Sequence, residues 1–432
     1  MNFIGLSDGI KFDLPNASVD FNTRNFPLDH IFESKLYRFN ESNFFKSSVN
    51  GGKLIKGGAE VFSGDLAFYV GLSNNSTGLD VDELLGKVSN AKLSLGDNNL
   101  VVIDKGNGSF VVRNNGVAAD FSASLTVNSQ DVESRGVFSA KVNYMGESIN
   151  INKGIGNTSF TLNLDDGLDK IIEGSGVRFV VGSQELEGNF DLIQENGLVR
   201  LSMEKASVVV GDDSNDYIKV LDVKGTALID PEGVAIDAKG NAEMLLSNLS
   251  TSGEYRVKIK TFDRQIAQQF LDQSTIFIRA GPVTEVSGTG VTLTVAGQTL
   301  TGNFNFSKTE SVGMDLTLDD VDLSIGNGNN YASIQNGSGV LSVNQFGVEG
   351  YIQIEALELA NLQGMSVNDM SVDKASVQFN TRKFPVSREI TTNEGVAKLE
   401  LPSGPYVRLS MNDVSLNSVS YTHLRAHETS LH

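Results

Sequence analysis

The residues of this 432-residue chain that best suit chemistry are the oxygen-rich turns. Gly96-Asp97-Asn98-Asn99, Gly211-Asp212-Asp213-Ser214-Asn215-Asp216 and Gly326-Asn327-Gly328-Asn329-Asn330 offer carboxylate and amide oxygens, the donors that calcium takes. Asp212, Asp213 and Asp216 form the densest group and are the calcium candidates. The competing reading is a set of hairpin turns, because Asn, Asp and Gly all tolerate the left-handed backbone region. None of the three turns matches an EF-hand loop or the Gly-Gly-x-Gly-x-Asp calcium repeat.

Acid–base chemistry has thinner material. Asp165-Asp166 and Asp319-Asp320 are adjacent carboxylates, but solvated strand ends explain them without catalysis. Of four histidines, His423 and His427 stand at i, i+4, a spacing that holds zinc on a helix. They lie in Val419–Thr429, which breaks the pattern of the chain and reads like one frame of a transposon-type sequencing adapter. His30 is then too isolated for a Ser/His/Asp set. There is no cysteine, so neither thiolate ligands nor disulfides exist. No phosphate-binding Gly-x-x-x-x-Gly-Lys-Ser/Thr loop occurs, and Gly106-Asn107-Gly108 opens no helix. The expected result is no enzyme and no resident cofactor, with calcium as the one ion to consider.

Charge narrows the partners. Fifty-three acidic against 34 basic residues leave −19, which repels nucleic acid and anionic membrane surfaces. No run of 18 apolar residues would span a bilayer as a helix. Met1–Pro15 lacks the basic and apolar segments of a signal peptide. Tryptophan is absent, and phenylalanine at alternating positions is core material rather than a sugar-stacking platform.

The elements that must position these residues are strands. Val291, Leu293 and Val295 alternate with threonines, Ala296-Gly297-Gln298 reads as a turn, and Leu300, Gly302, Phe304 and Phe306 resume the alternation. The same hairpin stands 114 residues earlier at Val177, Phe179, Val181, Leu186, Gly188, Phe190 and Leu192, and more loosely at Phe62, Gly64, Leu66 and Phe68. Gly96, Gly211 and Gly326 recur at 115-residue intervals. Gly108 with Gly116, Gly225 with Gly233, and Gly339 with Gly347 are each eight apart. Such spacing marks tandem repeats.

An all-β fold of ~115-residue antiparallel repeats follows, eight to ten strands each, in an elongated continuous array; a string of β-sandwich domains is the alternative. The divisions are 1–49 (end of a truncated repeat), 50–173, 174–287, 288–411 (three repeats), 412–418 (start of another) and 419–432 (adapter-derived tail). No Pro/Ser-rich linker separates them, so the boundaries are conventions and neighbouring repeats of the chain are the expected partners. Two helices are predicted: Asp80–Val88, and 262–272 with Phe262, Ile266 and Phe270 at i, i+4, i+8. Gly96, Gly211 and Gly326 should each sit at a turn after a strand; Gly64, Gly188 and Gly302 should lie in strands where a neighbour packs closely.

Gly404-Pro405-Tyr406-Val407-Arg408, Gly288–Leu300 and Asn336-Gly337-Ser338-Gly339 resemble repeats of very large surface or secreted, RTX-adhesin-like proteins of environmental bacteria. The resemblance covers most of residues 1–418. It implies structural or spacer repeats, a place outside the cell or on its surface, and an external ligand carried elsewhere. The long alternating strands, as in Val223–Asp237, are also similar in style to the AsmA/TamB β-groove proteins. That resemblance implies a periplasmic trough carrying lipid. In both cases the chain is expected to open inside a repeat.

Overall fold

The computed structural model describes residues 9–22, 28–32, 35–39, 44–71, 83–113, 115–155, 157–166, 170–195, 197–212, 214–246, 249–295, 297–308, 313–326, 330–354, 356–359, 370–392 and 395–416. These are almost entirely antiparallel β-strand, and their one helical element is a single 3₁₀ turn, Asp97–Asn99. The tail with His423 and His427 lies outside the described residues.

Each repeat has five long strands in sequence, a returning strand and a two-stranded flap. In the first repeat the long strands are Phe44–Lys56, Ala59–Gly71, Glu83–Leu95, Val101–Arg113 and Gly116–Val127. The returning strand is Phe138–Asn143, and the flap is Ile149–Ile155 with Thr158–Leu164. The third repeat follows the same plan with Val283–Val295, Gln298–Lys308, Met314–Gly326, Asn330–Asn344, Gly347–Ile354, Met370–Asn380 and the flap Val386–Thr392 with Gly395–Leu401.

The chain forms two compact units. One comprises Met1–Val210, Val220–Gly240 and Val257–Thr284; the other comprises Gly211–Lys219, Asn241–Arg256 and Glu285–His432. In the first, Phe138–Asn143 pairs on one side with Gly116–Val127 and on the other with Lys170–Val181, so the ladder passes from repeat to repeat without a break. In the second, Leu249–Ser252 pairs with the hairpin strand Val283–Val295, and Met370–Asn380 pairs with Tyr406–Leu416. Positions 50, 174, 288 and 412 all fall inside strands. Separate sandwiches would need a break at these places.

The recurring glycines mark rows of β-bulges. In the first hairpin of each of the three repeats the register slips beside a glycine in the left-handed region: Gly51, Gly176 and Gly290, at φ 65°, 60° and 63°. One strand on, the slip falls at Gly64, Gly188 and Gly302, opposite Asn90, Lys205 and Asp320 at φ 50–51°. A Cβ at Gly302 would lie 2.6 Å from the carbonyl oxygen of Asp320 and 2.8 Å from the Cα of Val321. The residue after that glycine caps the bulge before it. Asp65, Asn189 and Asn303 accept the amide N–H of Gly51, Gly176 and Gly290 through Oδ1 at 3.0, 3.2 and 3.1 Å. Bulges bend strands and increase their twist.

Across the bend, apolar side chains from both halves of the strands meet. Phe68 and Phe110 stack edge-on at 5.1 Å between centroids, and Phe62 meets Phe121 at 5.7 Å. Phe179 and Phe190 do likewise at 5.0 Å. The opposite face is covered by the flap. Ile149, Ile151, Phe160, Leu162 and Leu164 pack on Tyr69, Leu85, Val111 and Ala118. This double covering explains runs such as Phe110-Val111-Val112, in which consecutive residues are all buried.

Both helix expectations are overturned. Glu83–Leu95 is a strand in which Leu84 and Leu85 are buried together, because the core lies on one side and the flap on the other. Phe262, Ile266 and Phe270 do share one apolar cluster, but Ile266–Gln269 is a flap strand paired with Thr275–Ile278. A separation of four is even, so it places residues on one face of a strand as well as of a helix.

The two glycine types should respond differently to substitution. Gly290→Ala meets no atom within 4 Å and should cost only the left-handed backbone, about 1–2 kcal/mol. Gly302→Val should cost more, about 2–4 kcal/mol, because two backbones must separate. Gly290→Asn should be milder than Gly290→Val, since Asn90 and Asn336 hold the same conformation. Denaturant unfolding of the variants measures the order; equal losses at both glycines would contradict the bulge account.

Candidate functional site

The Asp212 turn is closed by its own chain. Strand Leu198–Gly211 ends there, and Asp216 opens the next, Asp216–Asp230. The backbone amides of Ser214 and Asn215 donate to Asp212 Oδ1 at 2.7 and 2.8 Å, and the Tyr217 hydroxyl donates to Oδ2 at 2.5 Å. Burial alone would raise the Asp212 carboxyl. The hydrogen bonds from Tyr217, Ser214 and Asn215 outweigh it and hold the group below its ordinary range. Burial, followed by the carboxylate beside it, pushes Tyr217 up to about 12. Asp216 is exposed, and Asp213 lies outside the described residues. Among the described residues no three His, Cys, Asp or Glu side chains converge as metal ligands.

The other carboxylate candidates stand apart. Asp165 and Asp166 are exposed at the flap end, where the Asp165 carbonyl accepts from Asn143 Nδ2 at 2.8 Å. Asp319 and Asp320 are exposed in the middle of Met314–Gly326 rather than at a strand end, and Asp320 is the bulge residue. His30 lies in the strand Leu28–Phe32.

A constellation that sequence reasoning missed sits at the flap necks. Asn143, Lys260 and Asn380 occupy the same position at the end of the returning strand, each almost wholly buried. Asn143 Nδ2 donates to the carbonyls of Glu147 and Asp165 at 2.9 and 2.8 Å. Asn380 Nδ2 donates to those of Phe384 and Pro402 at 3.0 and 2.7 Å. Lys260 Nζ does the same for Phe262 and Arg264 at 2.5 and 3.0 Å, and burial lowers its amine. One buried donor thus replaces the ladder where the chain leaves the sheet for the flap, satisfying carbonyls that would otherwise be orphaned.

The third repeat departs from the other two under its flap. Glu349 stands where Ala118 and Ala235 stand in the earlier repeats, and is 1% exposed. Arg382 reaches its Oε2 at 2.8 Å and Arg388 its Oε1 at 2.6 Å. Burial lowers the Arg382 guanidinium while Glu349 opposes that shift. Burial also pushes the nearby Asp315 carboxyl up. A carboxylate held between two guanidiniums is a lock rather than a general base. The signal was present in the text: Gly347-Val348-Glu349 against Gly116-Val117-Ala118 and Gly233-Val234-Ala235. The other flaps are tied differently, by Arg113 with Glu83 and Glu147, and by Arg200 with Glu195 and Asp272.

No family profile, no curated protein and no solved structure matches this chain.

Asp212→Ala should cost about 1–3 kcal/mol by leaving buried donors unpaired, and Tyr217→Phe about 1 kcal/mol. Because the folded carboxyl of Asp212 is depressed, its contribution is present above the unfolded value and lost as pH falls through the folded one. Asp212→Asn should therefore flatten the acid limb of the stability–pH curve. Glu349→Ala should cost about 3–5 kcal/mol, since it leaves the buried Arg382 guanidinium without its carboxylate. Chemical denaturation from pH 7 down to pH 3 checks all four variants; an unchanged acid limb in Asp212→Asn would remove Asp212 from the account.

Proposed function

We propose that this chain is a run of spacer repeats from a large surface or secreted bacterial protein of the adhesin type. In this reading it catalyses nothing itself, and it holds binding domains supplied elsewhere away from the cell. The observation that carries the reading is the closure of the apolar face together with unbroken pairing between repeats. Leu293 is 0% exposed, and Phe304 and Phe306 are 1% exposed. Strand ladders cross positions 50, 174, 288 and 412 without a linker. Repeats that lean on their neighbours resist bending and stay in line, which is what a spacer requires. The charge of −19 keeps parallel copies soluble and apart. A chain without cysteine folds outside the cell with no oxidation step. Its partners in this role are neighbouring repeats, and its place is the bacterial exterior.

A periplasmic lipid groove of the AsmA/TamB style would need those same side chains open along the array. The ion pairs of Glu349 with Arg382 and Arg388 fasten the third flap to the sheet.

Extraction of the purified chain with organic solvent, followed by mass spectrometry, separates the readings. The spacer should carry no phospholipid. Phospholipid in molar proportion to protein, lost with Phe304→Asp, would overturn the proposal in favour of the groove.

A further inference from the structure

The second compact unit holds a half-open cavity of about 590 Å³ beside the neck of the third flap. Leu249, Ser250 and Thr294 line it from two paired strands, and Lys383, Gly404 and Pro405 line it from the flap neck. All six belong to that one unit. The volume is ordinary for a small-molecule site. The corresponding corner of the second repeat is narrower. There a Cβ on Gly182, in the hairpin turn, would lie 3.8 Å from Thr261 of the flap neck. A Cβ on Gly297, in the turn of the third repeat, meets nothing within 4 Å.

The polar chemistry of the corner is inverted between the two repeats. Glu133 pairs with Val180 where Ser250 pairs with Thr294. Asp263 stands three residues after Lys260, and Lys383 three residues after Asn380. Two hydroxyls and an ammonium thus stand in place of two carboxylates and a valine, in a chain whose net charge is −19. Among the described residues no carboxylate lines the cavity. The side chains of Lys383, Ser250 and Thr294 have no hydrogen-bond or ion-pair partner among the described residues.

An unpaired ammonium at the wall of a cavity selects a negative charge. One ammonium balances one charge, and no arginine fork lines the cavity to hold a phosphate dianion from two sides. A carboxylate is therefore the matching group. The two free hydroxyls call for hydroxyl partners, and Leu249 and Pro405 offer apolar surface to C–H groups. We propose that the cavity binds a sugar acid, with its carboxylate on Lys383 and its hydroxyls on Ser250 and Thr294. The open mouth admits one unit of a longer acidic polysaccharide. The spacer reading gives the chain no external ligand of its own; this site gives it one, and neither proposal depends on the other.

Calorimetric titration of the full chain with tri-galacturonate at low salt tests the proposal. Saturable binding of one trimer per chain is expected. Lys383→Asp and Ser250→Glu, which install the residues of the second repeat, should each weaken it at least about tenfold. Both side chains are exposed, so the melting temperature should stay unchanged in both variants. The methyl ester of the trimer, which keeps every hydroxyl and loses the charge, should bind at least about tenfold more weakly, and acetate, which keeps only the charge, likewise. Absence of binding up to about 10 mM, or binding that Lys383→Asp leaves intact, would overturn the site. Acetate or the methyl ester binding as tightly as the trimer would overturn the sugar acid as its occupant.

Discussion

Where Gly302 passes Val321, two strands run closer than any side chain allows, and the rest of the architecture depends on that approach. The carbonyl of Asp320 is turned toward the glycine because Asp320 sits in the left-handed region. A close approach with a left-handed residue opposite recurs at Gly64 with Asn90, where the Ser89 carbonyl lies nearest, and at Gly188 with Lys205, where the Ala206 Cα does. Each slip bends its strand at the same level as its neighbours, so the bends line up across a repeat. A flat sheet of these strands would leave Phe62, Phe110 and Phe121 facing water. Bent, the two halves of the strands bring those rings together. The Asx residue after each glycine fastens the preceding bulge, which makes the bend a property of strand pairs rather than of single strands.

Continuity between repeats depends on a second constraint, the filling of space beside the returning strand. Phe138 lies over Gly174, Tyr255 over Gly288, Ala375 against Met411 and Ala17 against Val49. Large faces small in two cases, small faces large in the third, and the fourth is intermediate. Packing density tolerates either order so long as the volume is conserved. Repeats can therefore differ in sequence at every junction and still join by the same ladder.

The flaps are where the repeats diverge. Their necks keep one device, a buried donor spanning two carbonyls, realised by Asn143, Asn380 or Lys260. An amide and an ammonium are not chemically alike, but both present several N–H groups from a side chain of sufficient reach. Beneath the flap the solutions differ more. Val111 and Ala118 give the first repeat an apolar seat, and Leu228 and Ala235 give the second. In the third repeat Glu349 with Arg382 and Arg388 takes that place. A buried ion pair adds little net stability against an apolar seat, but it penalises misplacement strongly.

The amino-acid sequence by itself determined the repeat length, the all-β class, the hairpin at 291–306 and the places of its glycines. Alternation with period two and equal spacing are local, one-dimensional properties. Gly96 follows its strand at a turn, Gly211 and Gly326 are the last residues of theirs, and Gly188 and Gly302 lie against a neighbouring backbone. Only the tertiary structure decided what covers each face. Leu84-Leu85 read as helix because no local period records the flap of residues 149–164 arriving on the outer face, and Phe262, Ile266 and Phe270 because a spacing of four fits one face of a strand as well. The Asp212 turn divides in the same way. Oxygen-rich text shows how many acceptors are available, but the Tyr217 hydroxyl and two backbone amides that occupy them are placed by the fold. Glu349 was legible as a departure from alanine, yet its meaning required Arg382 and Arg388, which reach it only when the third flap closes on the sheet.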